Sequence, residues 1–238
     1  MTALDGLKVK IFADGADLDG ILELHKNKYI AGFTTNPTLM NKSGIKDYEG
    51  FARQILENIS DRPFSFEVFS DEFDEMERQA LKIAKWGKNV YVKIPVTNTR
   101  RESSSKLIRK LAAKGVQLNV TALMTLDQVS EMSRALDNHV PSYISVFAGR
   151  IADTGRDPMP LMKRAVEIMA PNEKQELIWA SPRELLNIFH ANEIGCHVIT
   201  VTHDILKKLS LVDKNLDEYS LDTVKMFRDD AVKAGFNL

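Results

Sequence analysis

Short runs of apolar, β-branched and aromatic residues alternate with longer amphipathic stretches along the whole chain. The short runs fall at residues 9–13, 30–34, 64–69, 90–96, 116–121, 143–147, 176–180 and 197–201, and each is followed by a helical pattern. This is the signature of repeated βα units. Eight of them in unbroken series predict a (β/α)8 TIM barrel, and the length of 238 residues suits one barrel. With no linker, low-complexity tract or shift in composition, residues 1–238 read as a single domain. A last segment at about 221–234, with Val224, Phe227 and Val232 at helical spacing, predicts an additional C-terminal helix that packs on the barrel or on a neighbouring subunit.

Several helix starts carry their own signals. Ser70 precedes Asp71 and Glu72, Ser103 to Ser105 precede Lys106, and Thr125-Leu126-Asp127-Gln128 has the spacing of a capping box. An open doubly wound sheet uses the same alternation and is the competing architecture. It usually carries a glycine-rich nucleotide loop after the first strand, whereas Phe12-Ala13-Asp14-Gly15-Ala16-Asp17 is not GxGxxG and no GxxxxGK[ST] occurs. ATP or NAD chemistry is not expected, and no cofactor is called for.

Against this apolar pattern Lys93 stands out, a lone cation in Val90-Tyr91-Val92-Lys93-Ile94-Pro95-Val96. A lysine buried in a strand is either neutralised by a carboxylate or has a lowered pKa that makes its amine a nucleophile. Other polar residues gather at the carboxyl ends of the predicted strands, the face on which barrel active sites lie. Asp14 ends the first strand, Asn36 follows the second, Glu67 lies in the third, Asn119 and Thr121 in the fifth, Ser145 in the sixth, and Ser181 follows the seventh. From Glu67 through Lys93 and Asn119 to Ser145 the interval is 26 residues each time. One polar residue therefore recurs at a similar height in successive units.

Each position also has a plain structural reading. Asp14 serves equally as a turn or helix cap, Glu67 as an ion-pair partner of Lys93, and Asn36-Pro37 as a turn into a helix. As a set they point to chemistry, because Val, Ile and Leu normally fill a barrel interior and charges there are costly unless used or paired. An amine beside carboxylates and hydroxyls suits attack on a ketone, dehydration to an iminium and C–C cleavage into that electron sink, with a lysine pKa of about 7–8. Asp14 and Glu67 are the candidate proton movers, and spacing does not say which does what. After strands six and seven, Arg150 with Ser181 and Arg183 would form a local phosphate clamp. Alternatively Arg150 pairs with Asp153, or Arg183 with Glu184.

Composition narrows the class. The balance of 32 basic against 33 acidic side chains argues against a generally cationic nucleic-acid or membrane-surface binder. A single cysteine, Cys196, forms no internal disulfide or multi-cysteine zinc site, and reads as a core residue of a protein in a reducing cytoplasm. No run approaches the ~18 apolar residues of a membrane span. The five histidines have no metal-ligand spacing and read as structural or surface residues, so no metal site is expected.

Taken in order, Phe12-Ala13-Asp14, Thr34-Thr35-Asn36-Pro37-Thr38, Phe66-Glu67-Val68, Val92-Lys93-Ile94-Pro95, Asn119-Val120-Thr121, Ser145-Val146-Phe147-Ala148-Gly149-Arg150 and Ser181-Pro182-Arg183 resemble the transaldolase family. The resemblance spans nearly the whole chain. It implies that Lys93 forms a Schiff base with a ketose phosphate and that Asp14 takes the proton from the hydroxyl whose C–C bond breaks. It also implies that Glu67 and Thr121 position a relay water, that Asn36 and Asn119 hold the dihydroxyacetone fragment, and that Arg150, Ser181 and Arg183 hold the phosphate, with Ser145 and Phe147 lining the site. Sugar phosphates are the implied partners, in carbohydrate metabolism and the pentose phosphate pathway, with a homo-oligomer as the assembly. A related branch, fructose-6-phosphate aldolase, releases the fragment instead of transferring it; it typically carries glutamine at the position of Glu67 and tyrosine at that of Phe147. The alternatives are such aldol cleavage, transfer from a related ketose such as a sulfonated one, and a non-catalytic sugar-phosphate sensor.

Overall fold

The structure, a computed structural model, describes residues 2–236. Eight parallel strands pair in chain order and the first also pairs with the last, which closes a barrel. The elements are β1 (Lys10–Asp14), α1 (Leu18–His25), β2 (Ile30–Thr34), α2 (Pro37–Lys42), α3 (Tyr48–Asn58), β3 (Phe64–Glu67), α4 (Phe73–Ile83), β4 (Val90–Pro95), α5 (Ser105–Ala112), β5 (Leu118–Leu123), α6 (Leu126–Ala135), β6 (Ser142–Val146), α7 (Ala148–Ala152), α8 (Met159–Met169), β7 (Gln175–Trp179), α9 (Leu186–Glu193), β8 (Val198–Thr202), α10 (His203–Leu206) and α11 (Leu216–Ala234). All eight expected strands are present, with ends displaced by at most two residues. Among the described residues no helix is long and apolar enough to cross a membrane.

The displaced ends have local causes. β5 starts at Leu118 rather than 116 because Gly115, at φ +76°, turns the chain and Val116 N–H donates to Leu111 O, closing α5. β3 stops at Glu67 rather than 69 because the N–H groups of Phe69 and Ser70 turn to the Gln79 side chain. The capping box at Thr125 and Gln128 forms as its spacing predicts. Ser70 acts three residues ahead of α4, its hydroxyl accepting from Glu72 N–H.

The C-terminal helix departs further from expectation. It begins at Leu216, not near 221, because the Asn215 side chain accepts from the N–H groups of Asp217 and Glu218 and both acids favour the positive end of the helix dipole. None of its residues is buried. Packing on the barrel, one of the two expected outcomes, is therefore not what the structure shows.

Alternation along each strand divides the core in two. Ile11, Phe33, Phe66, Val92, Val120, Ile144, Leu177 and Ile199 face the helices. Inside the barrel, Phe12, Tyr91 and Tyr143 meet in a cluster with Ile178, Ala180 and Val198; Tyr143 lies 5.6 Å from Phe12 edge to face and 4.4 Å from Tyr91 between ring centres. Rings, rather than the expected Val, Ile and Leu, dominate this end, and Gly32 makes the room: a Cβ there would stand 2.6 Å from the Phe12 ring. The same inward parity continues up the strands to Asp14, Glu67, Lys93, Thr121 and Ser145. The aromatic cluster thus forms the floor on which the polar residues stand.

Candidate active site

Lys93 lies in the centre of β4 and is only 6 % exposed. Its amine donates to Thr35 O at 3.0 Å and stands 3.3 Å from Glu67 Oε2. Register explains the second contact, because Glu67 of β3 is the ladder partner of Lys93, which in turn is the partner of Asn119. The first two 26-residue intervals are therefore cross-strand neighbours. Glu67 is itself pinned at both backbone groups by Tyr48, whose hydroxyl accepts from Glu67 N–H at 2.8 Å and donates to Glu67 O at 2.9 Å. Burial raises the Tyr48 pKa far above its ordinary value, so this phenol stays protonated.

Asp14 ends β1 and accepts a 2.8 Å hydrogen bond from the Thr34 hydroxyl, which in turn meets Thr200 on β8. Burial raises the Asp14 pKa above the ordinary carboxylate range, outweighing the Lys93 charge and the Thr34 bond that lower it. Behind this turn sits the His203 ring, in a slot left by two glycines: a Cβ on Gly15 would stand 2.6 Å from its Nε2 and one on Gly20 would stand 2.9 Å from its Cε1. Burial also lowers the His203 pKa, so the ring is neutral at neutral pH. The structural reading of this histidine fits. Cys196 is likewise a core residue, its thiol pushed up to about 12 by burial.

The third 26-residue interval does not follow the ladder. Asn119 pairs with Tyr143, and the β5–β6 register slips between Val120 and Leu123, where Ala122 takes a left-handed φ of +67°. Ser145 still reaches Asn119, donating to its Oδ1 at 2.7 Å, while Asn119 donates to the Ser65 hydroxyl at 3.0 Å. Asn119 is wholly buried and sits directly beneath the cavity-lining Ser145, which it holds in place. The hydroxyl of Thr121 is buried with no hydrogen-bond partner among the described residues.

At the far wall, α7 and the loop after β7 lie in close contact. A Cβ on Gly149 would stand 1.5 Å from the Ser181 carbonyl oxygen, so only glycine fits there, and Ser181 itself has a left-handed φ of +60°. The Arg150 guanidinium lies 5.3 Å from the centre of the Phe147 ring. Arg183 forms a two-pronged ion pair with Asp153. Neither pairing considered from sequence occurs, since Asp153 takes Arg183 rather than Arg150, and Glu184 takes neither.

One cavity of about 720 Å³ joins Asp14, Asn36, Glu67, Lys93, Thr121, Ser145, Phe147, Arg150, Ser181 and Arg183. Asn36 also caps α2, its oxygen accepting from Leu39 N–H, so the turn reading is met by a residue that also lines the cavity. Lys42, Thr34, Thr200 and Asp204 line the cavity too and were not singled out in the sequence; Tyr48 acts from behind it. Thr34 lay within the Thr-Thr-Asn-Pro motif, but nothing in the chain's periodicity marks Tyr48. Among the described residues no group of three or more His, Cys, Asp or Glu side chains could hold a metal ion.

A buried amine, two carboxylates and two guanidiniums around one mouth of a closed parallel barrel define an aldolase-type (β/α)8 enzyme. The chain belongs to the transaldolase/fructose-6-phosphate aldolase family, whose model matches residues 11–238. It is 34% identical over 218 residues to "Probable transaldolase 2" of Listeria monocytogenes, covering 90% of this chain and 95% of that one. It is 32% identical over 231 residues to "Probable transaldolase" of Thermoanaerobacter sp., covering 97% and 100%. Among solved structures it is similar in fold to KGPDC from Streptococcus mutans, with a TM-score of 0.57 at 8% identity over 84% of this chain and 90% of that one.

The buried Asp14 carboxylate yields a stability prediction. Because its folded pKa is raised, Asp14 favours the folded state at pH values below its unfolded pKa, and that contribution is lost as pH rises through the folded pKa. Asp14→Asn should therefore unfold at higher urea concentration than the parent at pH 7, with the gap closing on acidification, while activity falls roughly 100-fold to 10,000-fold. A variant less stable than the parent at pH 7 contradicts the assignment.

Proposed function

We propose that this protein is a Schiff-base transaldolase, which moves a dihydroxyacetone unit from a ketose phosphate such as fructose 6-phosphate or sedoheptulose 7-phosphate to an aldose phosphate. The observation that carries the reading is the Lys93 amine, buried at the cavity floor 3.3 Å from Glu67 and within the field of Asp14.

In this reading Lys93 adds to the C2 carbonyl of the donor, and loss of water gives an iminium. Glu67 and the Thr121 hydroxyl, which has no other partner, orient the water that carries the protons of dehydration. Asp14 as carboxylate takes the C4 hydroxyl proton, the C3–C4 bond breaks, and its electron pair moves into the iminium to leave an enamine on Lys93. The aldose phosphate departs. The enamine carbon then attacks the acceptor aldehyde, Asp14 returns its proton to the new alkoxide, and hydrolysis frees Lys93. Asn36 and Asn119, with Ser145 bonded to Asn119, hold the three-carbon unit, and Arg150, Ser181 and Arg183 bind the phosphate.

The exposed apolar face of α11 supports a homo-oligomeric assembly. Leu216, Tyr219, Leu221, Val224, Met226, Phe227 and Val232 are all exposed on it, an apolar surface that a lone barrel leaves to water. A second copy of the chain covers this helix in a homo-oligomer.

Fructose 6-phosphate incubated with and without erythrose 4-phosphate tests transfer. The reading expects glyceraldehyde 3-phosphate to form rapidly only with the acceptor; equal release without it means aldol cleavage instead. For the assembly, light scattering should give a multiple of 26.8 kDa for the full chain and a smaller particle after truncation before Leu216. A full-length monomer contradicts it.

A further inference from the structure

The two arginines that face the cavity are not equivalent. Arg183 is committed, with Nε donating to Asp153 Oδ1 at 2.9 Å and Nη2 donating to Oδ2. Arg150 lies over the Phe147 ring and forms no ion pair among the described residues. Asp153 stands just beyond α7 and does not line the cavity itself. Its carboxyl is held below the ordinary range, first by the Arg183 hydrogen bonds, so it is anionic at neutral pH.

The backbone of Arg183 is held independently of Asp153. Its backbone N–H donates to the Asn187 side chain at 2.8 Å, and the loop before it is fixed by the Ser181 carbonyl seated against Gly149. What Asp153 adds is charge. The pair is about half exposed on both sides, so the fork is weak enough for an incoming anion to compete with it.

We propose that Asp153 is a specificity-determining residue: by neutralising Arg183 it leaves the two-arginine wall with one net positive charge and weakens the binding of dianionic headgroups relative to less charged ones. The proposal rests on the reading of this wall as the headgroup end of a sugar-phosphate site. A dianion that reaches Arg183 meets the Asp153 carboxylate behind the guanidinium, and the repulsion grows with headgroup charge. Removal of that carboxylate frees both prongs of the guanidinium for the ligand.

Calorimetric titration of inorganic phosphate into the parent, Asp153→Asn and Asp153→Glu proteins tests this, together with donor kinetics for fructose 6-phosphate and for unphosphorylated fructose. Asp153→Asn should bind phosphate roughly five-fold more tightly. KM for fructose 6-phosphate should fall by a similar factor with the change in KM rather than kcat, and no matching gain for fructose. Asp153→Glu, which keeps the charge, should resemble the parent. Phosphate binding that is unchanged, weaker or undetectable in Asp153→Asn overturns the proposal, as does an equal gain for both donors. Asp153→Ser repeats the comparison should the asparagine variant unfold. If fructose 6-phosphate is not turned over by any of these proteins, the donor reading fails, while the phosphate titration still decides the role of Asp153.

Discussion

The structure turns on one buried contact, the Lys93 amine against the Glu67 carboxylate inside a closed barrel. A polar head at that depth needs a partner, and each side chain supplies one to the other. The barrel supplies the contact through register, since β3 and β4 pair Glu67 with Lys93 directly, and Tyr48 grips the Glu67 backbone from both sides. Beneath them the rings of Phe12, Tyr91 and Tyr143 close the barrel. The polar chemistry is thus confined to one mouth.

Two kinds of local tension accompany this arrangement. Ala122 and Ser181 both line the cavity with left-handed backbone angles, conformations that cost of order 1–3 kcal/mol each outside glycine. The first sits where the β5–β6 register shifts, between Val120 and Leu123; the second accompanies the close approach of the Ser181 carbonyl to Gly149. Asp14 carries a third cost, a carboxylate whose burial raises its pKa. These costs fall where the family's chemistry needs reactive groups, while the outer helix–sheet core keeps ordinary apolar packing.

Much of this was legible in the chain. Strands were readable because both faces are buried, which leaves near-continuous apolar runs, and Lys93 was readable because a cation interrupts one of them. The 26-residue spacing was readable up to Asn119 and misleading at Ser145, because β6 pairs with β5 at an offset of 24 residues and Asn119 faces Tyr143. What escaped depends on contacts distant in sequence: the Tyr48 hydroxyl on the Glu67 backbone, the Thr34–Thr200 pair, and Asp153 taking Arg183. The start of α11 was missed although Leu216 and Tyr219 continue its apolar spacing and the Asn215 cap with Asp217 and Glu218 marks its first turn.

The central claim is that Lys93 is the nucleophile, and borohydride reduction in the presence of fructose 6-phosphate followed by peptide mass analysis tests it most directly. The account predicts a reduced three-carbon or whole-sugar adduct on Lys93 and on no other lysine. An adduct elsewhere, or none on a folded protein, contradicts it.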